Sequence, residues 1–425
     1  MSISNSISSS EPSIAIIGAG ITGVTTAYNL IRRGCRVTLF DRHPYAAMET
    51  SFANGGQLSA SNAEVWNSWA TVLKGLRWMF QPGAPLLVNP TPSWHKFSWM
   101  AEFVGAIPRH DDNTITTVRL AIEARGHLQR MAAEAGIDFD CEERGILHFY
   151  ATKSEFEAAG KISKLLAKGG LDRRAVTPEE IRQIEPALQG QIYGGYFTES
   201  DFTGDIHKFT NGLAGACERL GVVMRLSTQV LDVKASDTGV TIIHRSTEPR
   251  LDERIPEAEH SQFDKIIVCS GVMSRDLAKS LGDRVNVYPV KGYSITVSLP
   301  TPEDQACAPW VSLLDDKAKI VTSRLGQARF RVAGTAEFNG INRDIRAARV
   351  EPLIAWCRAH FPGMSTRQAV PWAGLRPMMP DMMPCVKRGR NPRVFYNTGH
   401  GHLGWTLSAA TADAVAALAT IKPNS

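Results

Sequence analysis

Three glycines in the spacing G-x-G-x-x-G open the chain's chemistry: Gly18-Ala19-Gly20-Ile21-Thr22-Gly23, followed further on by Asp41. The chemistry they suit is the binding of a pyrophosphate and a ribose. Gly18 permits a tight turn, Gly20 lets backbone approach the phosphates, and Gly23 lets a helix pack closely on a strand. A helix starting behind these glycines turns unpaired N–H groups and its positive dipole end toward the phosphates. Asp41 can accept both hydroxyl protons of an adenosine ribose, and its charge disfavours a 2′-phosphate, although Arg42 beside it softens that exclusion. The elements needed to position these residues are all in place. Ser13-Ile14-Ala15-Ile16-Ile17 reads as a strand buried on both faces, Val24 to Arg33 as a helix ending at Gly34, and Arg36 to Phe40 as a second strand. Strand, glycine turn, helix, strand and acid within about 30 residues is the context that separates a dinucleotide site from an ordinary glycine turn.

Further segments bear on which dinucleotide is bound. Glu49 to Ser59 holds Thr50, Ser51, Asn54, Gly55, Gly56, Gln57 and Leu58; it is polar and glycine-containing, suited to hydrogen-bonding a long polar ligand. Two more strand-to-glycine junctions follow. One runs from Lys265 to Gly271. The other, Val394 to Thr406, contains Gly399, His400, Gly401, His402, Leu403, Gly404 and Thr406 and leads into an Ala-rich helix, Leu407 to Leu418. That second helix N-terminus can face an anionic or electron-rich group. A nicotinamide dinucleotide would use the first unit and leave this C-terminal segment without a role.

Composition excludes several classes. At 425 residues, two domains are the natural expectation. The formal charge of +5 is too mild for a nucleic-acid footprint. The seven cysteines at 35, 141, 217, 269, 307, 357 and 385 form no C-x-x-C pair, which argues against a zinc site and for reduced thiols in a cytoplasmic protein. The Ser-rich residues 1–11 read as a disordered tail, and no apolar run reaches the ~18 residues of a membrane span.

At these segments the chain resembles the FAD-dependent amino acid oxidoreductases of the D-amino acid oxidase superfamily, and within them the D-amino acid dehydrogenases of the small-subunit type. The resemblance is carried by Gly18 to Asp41, Glu49 to Ser59, Leu76 to Gln81, Tyr288-Pro289-Val290-Lys291-Gly292-Tyr293-Ser294, Gly374-Leu375-Arg376-Pro377-Met378 and Asn397 to Thr406. It implies an α/β fold, with a Rossmann-like FAD-binding domain from residues 12–60, 200–285 and 372–425. The remainder, 61–199 and 286–371, forms a discontinuous α+β substrate-binding domain built on an antiparallel sheet. It also implies FAD contacts at Val230 and Gly271. The chain departs from the pattern in Met379 to Lys387, where two customary glycines are missing, and at His402, where dehydrogenases of this type usually carry Thr.

The implied reaction is oxidative deamination of a D-amino acid. Hydride passes from the substrate α carbon to flavin N5, and electrons go on to a quinone or other membrane acceptor. An oxidase or dehydrogenase of glycine, sarcosine, D-hydroxyproline or an opine, acting alone or within a larger complex, is the alternative. The flavin supplies the electron chemistry and the protein the orientation. Arg376, in an apolar stretch bounded by Gly and Pro, is the expected bidentate anchor for the substrate carboxylate. Tyr293 is a second candidate for that carboxylate. His400 and His402 read as flavin-side or pocket contacts, with His402 the one that shapes specificity. Met378 stands where covalent relatives attach their flavin, so FAD is expected to be non-covalent. Thr116 to Ala135 and Ser154 to Lys168 read as amphipathic helices, and Lys319 to Ser323 with Arg329 to Ala333 as a hairpin. Residues 65–103 hold five of the nine tryptophans, a density read as an aromatic-packed subdomain in preference to a lipid or partner surface. A peripheral position at the inner face of the cell membrane fits the membrane acceptor.

Overall fold

A computed structural model describes residues 11–78, 85–248 and 256–421. The expected disordered tail, apart from Glu11, lies outside the described residues, as do Met79, Phe80 and Gln81 of the family-like segment.

Six strands form one sheet in the order Cys385–Arg388, Val394–Thr398, Lys265–Val268, Ser13–Ile17, Arg36–Phe40 and Val223–Arg225. Every pairing is parallel except the outermost, Cys385–Arg388 with Val394–Thr398. Ser13–Ile17 lies at its centre, and Ile14, Ala15 and Ile16 are buried one after another. Such a run has no alternation because both faces are covered by other elements. The helix Ile21–Arg32 packs against Gly404–Thr420, whose small residues are buried nearly all round. A three-stranded antiparallel sheet, Thr228–Ala235, Val240–Ser246 and Glu259–Phe263, belongs to the same half of the molecule.

The second half is built on a nine-stranded sheet whose path runs Val370–Met378, Tyr288–Ser298, Arg329–Phe338, Ile320–Leu325, Ser312–Asp315, Ile146–Tyr150, Gly194–Thr198 and Arg174–Val176, with Leu86–Val88 beside Arg329–Phe338. It is antiparallel but for two pairings, Ser312–Asp315 with Ile146–Tyr150 and Leu86–Val88 with Arg329–Phe338. The expected hairpin pairs as Ile320–Leu325 with Arg329–Phe338. The strand Val370–Met378 pairs with Tyr288–Ser298 along its whole length, from Thr296 opposite Val370 to Tyr288 opposite Met378. Residues 372–378, grouped in the sequence reading with the cofactor segments, therefore lie in the larger sheet. The chain returns to the parallel sheet only at Cys385.

The long helix His110–Ala135 starts six residues before the expected Thr116, because the 3-10 turn Ile107–Arg109 runs straight into it; it ends at Gly136 in the left-handed conformation. Lys153–Lys168 begins with a capping box, the Thr152 hydroxyl and the Glu155 carboxylate each taking the other's backbone N–H. The tryptophan-rich stretch divides. Trp99 is buried and donates its indole N–H to the Met378 carbonyl at 2.9 Å, whereas Trp69 and Trp94 are exposed. An aromatic-packed subdomain thus accounts for only part of it. Among the described residues, no helix is long and apolar enough to cross a membrane.

Candidate active site

A cavity of about 1690 Å³ runs between the two sheets, from Gly18, Gly20 and Asp41 at one end to Arg376 and His402 at the other. Ordinary small-ligand pockets measure ~300–1,000 Å³, so there is room for a dinucleotide together with a substrate.

At the first end, the glycine turn closes as its spacing predicts. Gly18 has φ +109°, and a Cβ there would stand 2.6 Å from the Cys269 carbonyl oxygen. A Cβ on Gly23 would stand 1.8 Å from the Gly18 oxygen, so no other residue lets helix and turn meet. Gly20 precedes the helix Ile21–Arg32 and offers it no side-chain cap. The Ile21 amide donates to the Ser51 hydroxyl at 3.0 Å, and Thr22 lines the cavity beside it. Asp41 accepts the Ala19 amide at 2.6 Å and the His43 amide at 2.9 Å, which fixes its carboxylate at the cavity edge. Arg42 pairs with Glu49, which also takes His43 and Arg343.

The polar stretch lies across the second sheet. The Thr50 hydroxyl donates to the Leu375 carbonyl at 2.8 Å, tying this loop to the strand of Arg376. Asn54 accepts the Gly56 amide at 2.9 Å, and a Cβ on Gly55 would meet Val321 at 2.6 Å. Gln57 donates to the Ser312 hydroxyl at 2.8 Å, while its buried Oε1 has no partner among the described residues. Val230, Gly271, Gly399, Gly401, Leu403, Gly404 and Thr406 complete the lining. Three residues expected to touch cofactor do not line the cavity. The Ala19 amide is committed to Asp41, Gly23 serves only the helix contact, and Leu58 is packed in the core under the parallel sheet. Sequence adjacency to a motif does not put alternate residues on the same side of the backbone.

At the other end, Arg376 reaches over Gly292 on the neighbouring strand. A Cβ at position 292 would lie 2.3 Å from the guanidinium carbon. Nη1 donates to the Thr335 carbonyl at 3.0 Å, and among the described residues no carboxylate pairs with the guanidinium. Burial without a compensating acid pulls its pKa down to about 10.

Tyr293 borders the cavity too, but its hydroxyl is engaged elsewhere. Its hydroxyl donates to Glu337 at 2.7 Å, and Lys291 pairs with the same carboxylate at 3.1 Å, both side chains buried. Burial and the Glu337 charge push the phenol's pKa up. Strand alternation explains the correction: Gly292 faces Arg376, so its neighbours Lys291 and Tyr293 turn the other way. Residues that the sequence reading missed take part instead. Thr335 holds Arg376 through its carbonyl at φ +56°, a strained conformation for a β-branched residue, and its buried hydroxyl has no partner among the described residues. In sequence it is an ordinary strand threonine. Buried Asp201 pairs with Arg125 and accepts the Ala60 and Ser61 amides at 2.9 and 3.0 Å, anchoring the chain just after the polar stretch.

The two histidines part ways. His400 borders the cavity as expected but is buried, shares a 2.8 Å hydrogen bond with the Thr411 hydroxyl, and is held down to about 3 by burial, so it is neutral. His402 stacks on Trp66 with ring centroids 4.6 Å apart and sits 3.3 Å from the Asn62 carbonyl through Nε2. Burial foremost, then Arg376 and Lys319, hold it down to about 4 despite the Asn62 contact. It forms a neutral wall near the guanidinium. Two uncapped helix starts, the Asp41 carboxylate, the Gln57 amide oxygen, which has no partner among the described residues, and a cavity of this volume together fit an FAD.

The profile of the DAO family, described as FAD dependent oxidoreductase, matches residues 13–418. D-amino acid dehydrogenase 3 of Mesorhizobium japonicum is 58% identical over 411 residues, covering 96% of this chain and 97% of that protein. D-amino acid dehydrogenase of Dechloromonas aromatica is 38% identical over 412 residues, covering 95% and 96%. Among solved structures, glycine oxidase from Geobacillus kaustophilus superposes with a TM-score of 0.73 at 19% identity, covering 97% of this chain and 96% of that chain. L-proline dehydrogenase from P. horikoshii gives 0.72 at 14% identity, covering 96% and 93%. These two likenesses are of fold.

Proposed function

Because the chain belongs to the DAO family of FAD-dependent oxidoreductases, we propose that it deaminates D-amino acids oxidatively and passes the electrons to a membrane quinone or comparable acceptor. The observation that carries this reading is the buried Arg376 guanidinium, without a carboxylate partner among the described residues, in the same cavity as the glycine turn Gly18–Gly23 and Asp41. Arg376 grips the substrate carboxylate, and Gly292 leaves room for it to do so. The amine and Cα then point back along the cavity, past the Trp66–His402 wall. Bound FAD supplies the two-electron acceptor for the hydride leaving Cα. His402, neutral above about pH 4, does not repel a substrate ammonium as it enters, and the ammonium proton passes to water before the hydride leaves. The segments 12–60, 200–285 and 379–425 hold the cofactor in this reading, and 61–199 with 286–378, which takes in the strand moved to the larger sheet, enclose the amino acid. The enzyme works from the cytoplasm as a peripheral protein at the inner face of the cell membrane.

Anaerobic bleaching of the flavin tests this reading. D-amino acids are expected to reduce it, and L-amino acids, glycine and N-methyl amines to do so far more slowly. Equal bleaching by both enantiomers, or bleaching only by N-methyl amines, overturns the substrate assignment.

A further inference from the structure

Near Arg376 the cavity wall carries an ion pair that the reaction does not use. Ile320 pairs with Gly334 on the neighbouring strand. Lys319, just before Ile320, and Thr335, just after Gly334, therefore stand at the same end of two adjacent strands. Both take left-handed backbone at φ +56°, a conformation that costs any residue with a side chain and persists where neighbouring structure imposes it. The Thr335 carbonyl holds Arg376, so Lys319 starts about one strand spacing, ~4.8 Å, beyond the strand that supports the guanidinium. Both cations act on His402. The Lys319 ammonium lies 2.8 Å from one Asp316 oxygen, and the other accepts the Tyr150 hydroxyl at 3.3 Å. Lys319, Asp316 and Tyr150 all border the cavity, and the two charged side chains are 48% and 45% exposed. Burial opposes the Asp316 charge, but Lys319, His148 and Arg173 outweigh it and hold the carboxyl below its ordinary range. Glu64, a further acid on this wall, pairs with His110 at 3.4 Å.

We propose that Lys319 and Asp316 form the subsite for the substrate side chain, and that the amino acid they favour ends in a carboxamide, as D-glutamine does. The assignment rests on the proposed function, which places the substrate carboxylate on Arg376. An ammonium beside a carboxylate offers donors and acceptors side by side. A carboxamide is the complement: its carbonyl oxygen accepts from Lys319 and its NH2 donates to Asp316. The glutamine side chain spans about the one strand spacing that separates the anchor's support from Lys319. A side-chain acid would meet Asp316 and Glu64 with like charge, and a side-chain ammonium would meet Lys319. An aliphatic side chain of the same length would strip water from the ion pair and return nothing to it. A site built to hydrogen-bond one group discriminates against analogues that lack it far more strongly than an apolar pocket does. D-alanine is too short to reach the pair, so it reports the anchor and the hydride transfer alone.

The test is anaerobic flavin reduction in the full-length FAD-loaded protein by D-glutamine, D-glutamate, D-lysine and D-norleucine, each expressed as a ratio to D-alanine. In wild type the D-glutamine ratio should exceed each of the other three about tenfold or more. Lys319→Met should lower the D-glutamine ratio about tenfold and raise that of D-lysine, since the acids would then stand without the cation. Lys319→Gly suits the left-handed backbone and should shift both ratios the same way, which keeps the test open if the methionine variant folds poorly. Asp316→Asn should shift preference from D-glutamine toward D-glutamate. Opposite charge preferences in the two kinds of variant are a signature that a merely structural ion pair would not produce; retained flavin and its absorption spectrum show that each variant is folded. The proposal is overturned by a D-glutamine ratio no higher than that of D-norleucine, by a wild type that prefers D-glutamate or D-lysine, or by ratios that do not move in either Lys319 variant. Absence of flavin reduction by every D-amino acid, D-alanine included, strikes the proposed function itself and the subsite with it, whereas reduction without the D-glutamine preference strikes the subsite alone.

Discussion

Replacing Arg376 with Ala should abolish substrate capture and leave FAD bound. The guanidinium is buried, makes one hydrogen bond to the Thr335 carbonyl at 3.0 Å, and has no acidic partner among the described residues. A substrate carboxylate entering this cavity without it would be a desolvated, uncompensated anion, at a cost of about 3–5 kcal/mol. That corresponds to roughly 150-fold to several thousandfold in kcat/KM. Arg376→Lys keeps the charge but loses the planar fork, and should remain impaired. The structure adds an expectation for stability. An unpaired buried cation burdens the protein before substrate arrives, so Arg376→Met should hold or raise the thermal midpoint. An arginine serving a structural ion pair would do the reverse. The assay is anaerobic flavin reduction by a good D-amino acid and by its amide, in wild type and Arg376→Ala. The loss should be large for the acid and small for the amide, which has no carboxylate to anchor. Equal slowing of both with FAD fully bound, accompanied by a falling midpoint, refutes the anchor.

Gly292→Ala should mimic that loss without touching Arg376, since the new methyl would stand 2.3 Å from the guanidinium carbon; a normal KM with normal flavin content would show that the strand yields. Asp41→Ala should weaken FAD binding, each charge-assisted bond lost being worth about 1.5–3 kcal/mol, or roughly tenfold to hundredfold, read as flavin retained after dialysis. Acid precipitation should leave yellow flavin in the supernatant; flavin that stays with the protein pellet would mean a covalent link. His400, held at about 3 against an ordinary 6.5, binds its proton far more readily when unfolded. Its contribution is present above pH 6.5 and is lost as pH falls toward 3, up to about 5 kcal/mol. Urea titrations of wild type and His400→Asn across that window should converge at low pH; parallel curves would contradict the assignment.

The dinucleotide end was written in the residues because its requirements are local. A turn at φ +109°, a helix that touches the turn and a carboxylate at the next strand's end each need a particular residue at a particular offset, and few alternatives exist. The buried strand Ser13–Ile17 and the hairpin Ile320–Leu325 with Arg329–Phe338 were likewise visible as patterns of neighbours. Arg376 stood out because a charge is unexpected in an apolar run. What surrounds it was decided by sheet register. Pairing with Tyr288–Ser298 carried residues 372–378 into the larger sheet, laid the guanidinium over Gly292, and turned Tyr293 toward Glu337. No spacing along the chain relates Glu337 or Thr335 to Tyr293 and Arg376; only strand pairing does. The tryptophans show the same division. Their density was plain from the sequence, but the burial of Trp99 and the exposure of Trp69 and Trp94 depend on which helix face meets the rest of the protein, a choice made by packing between distant segments.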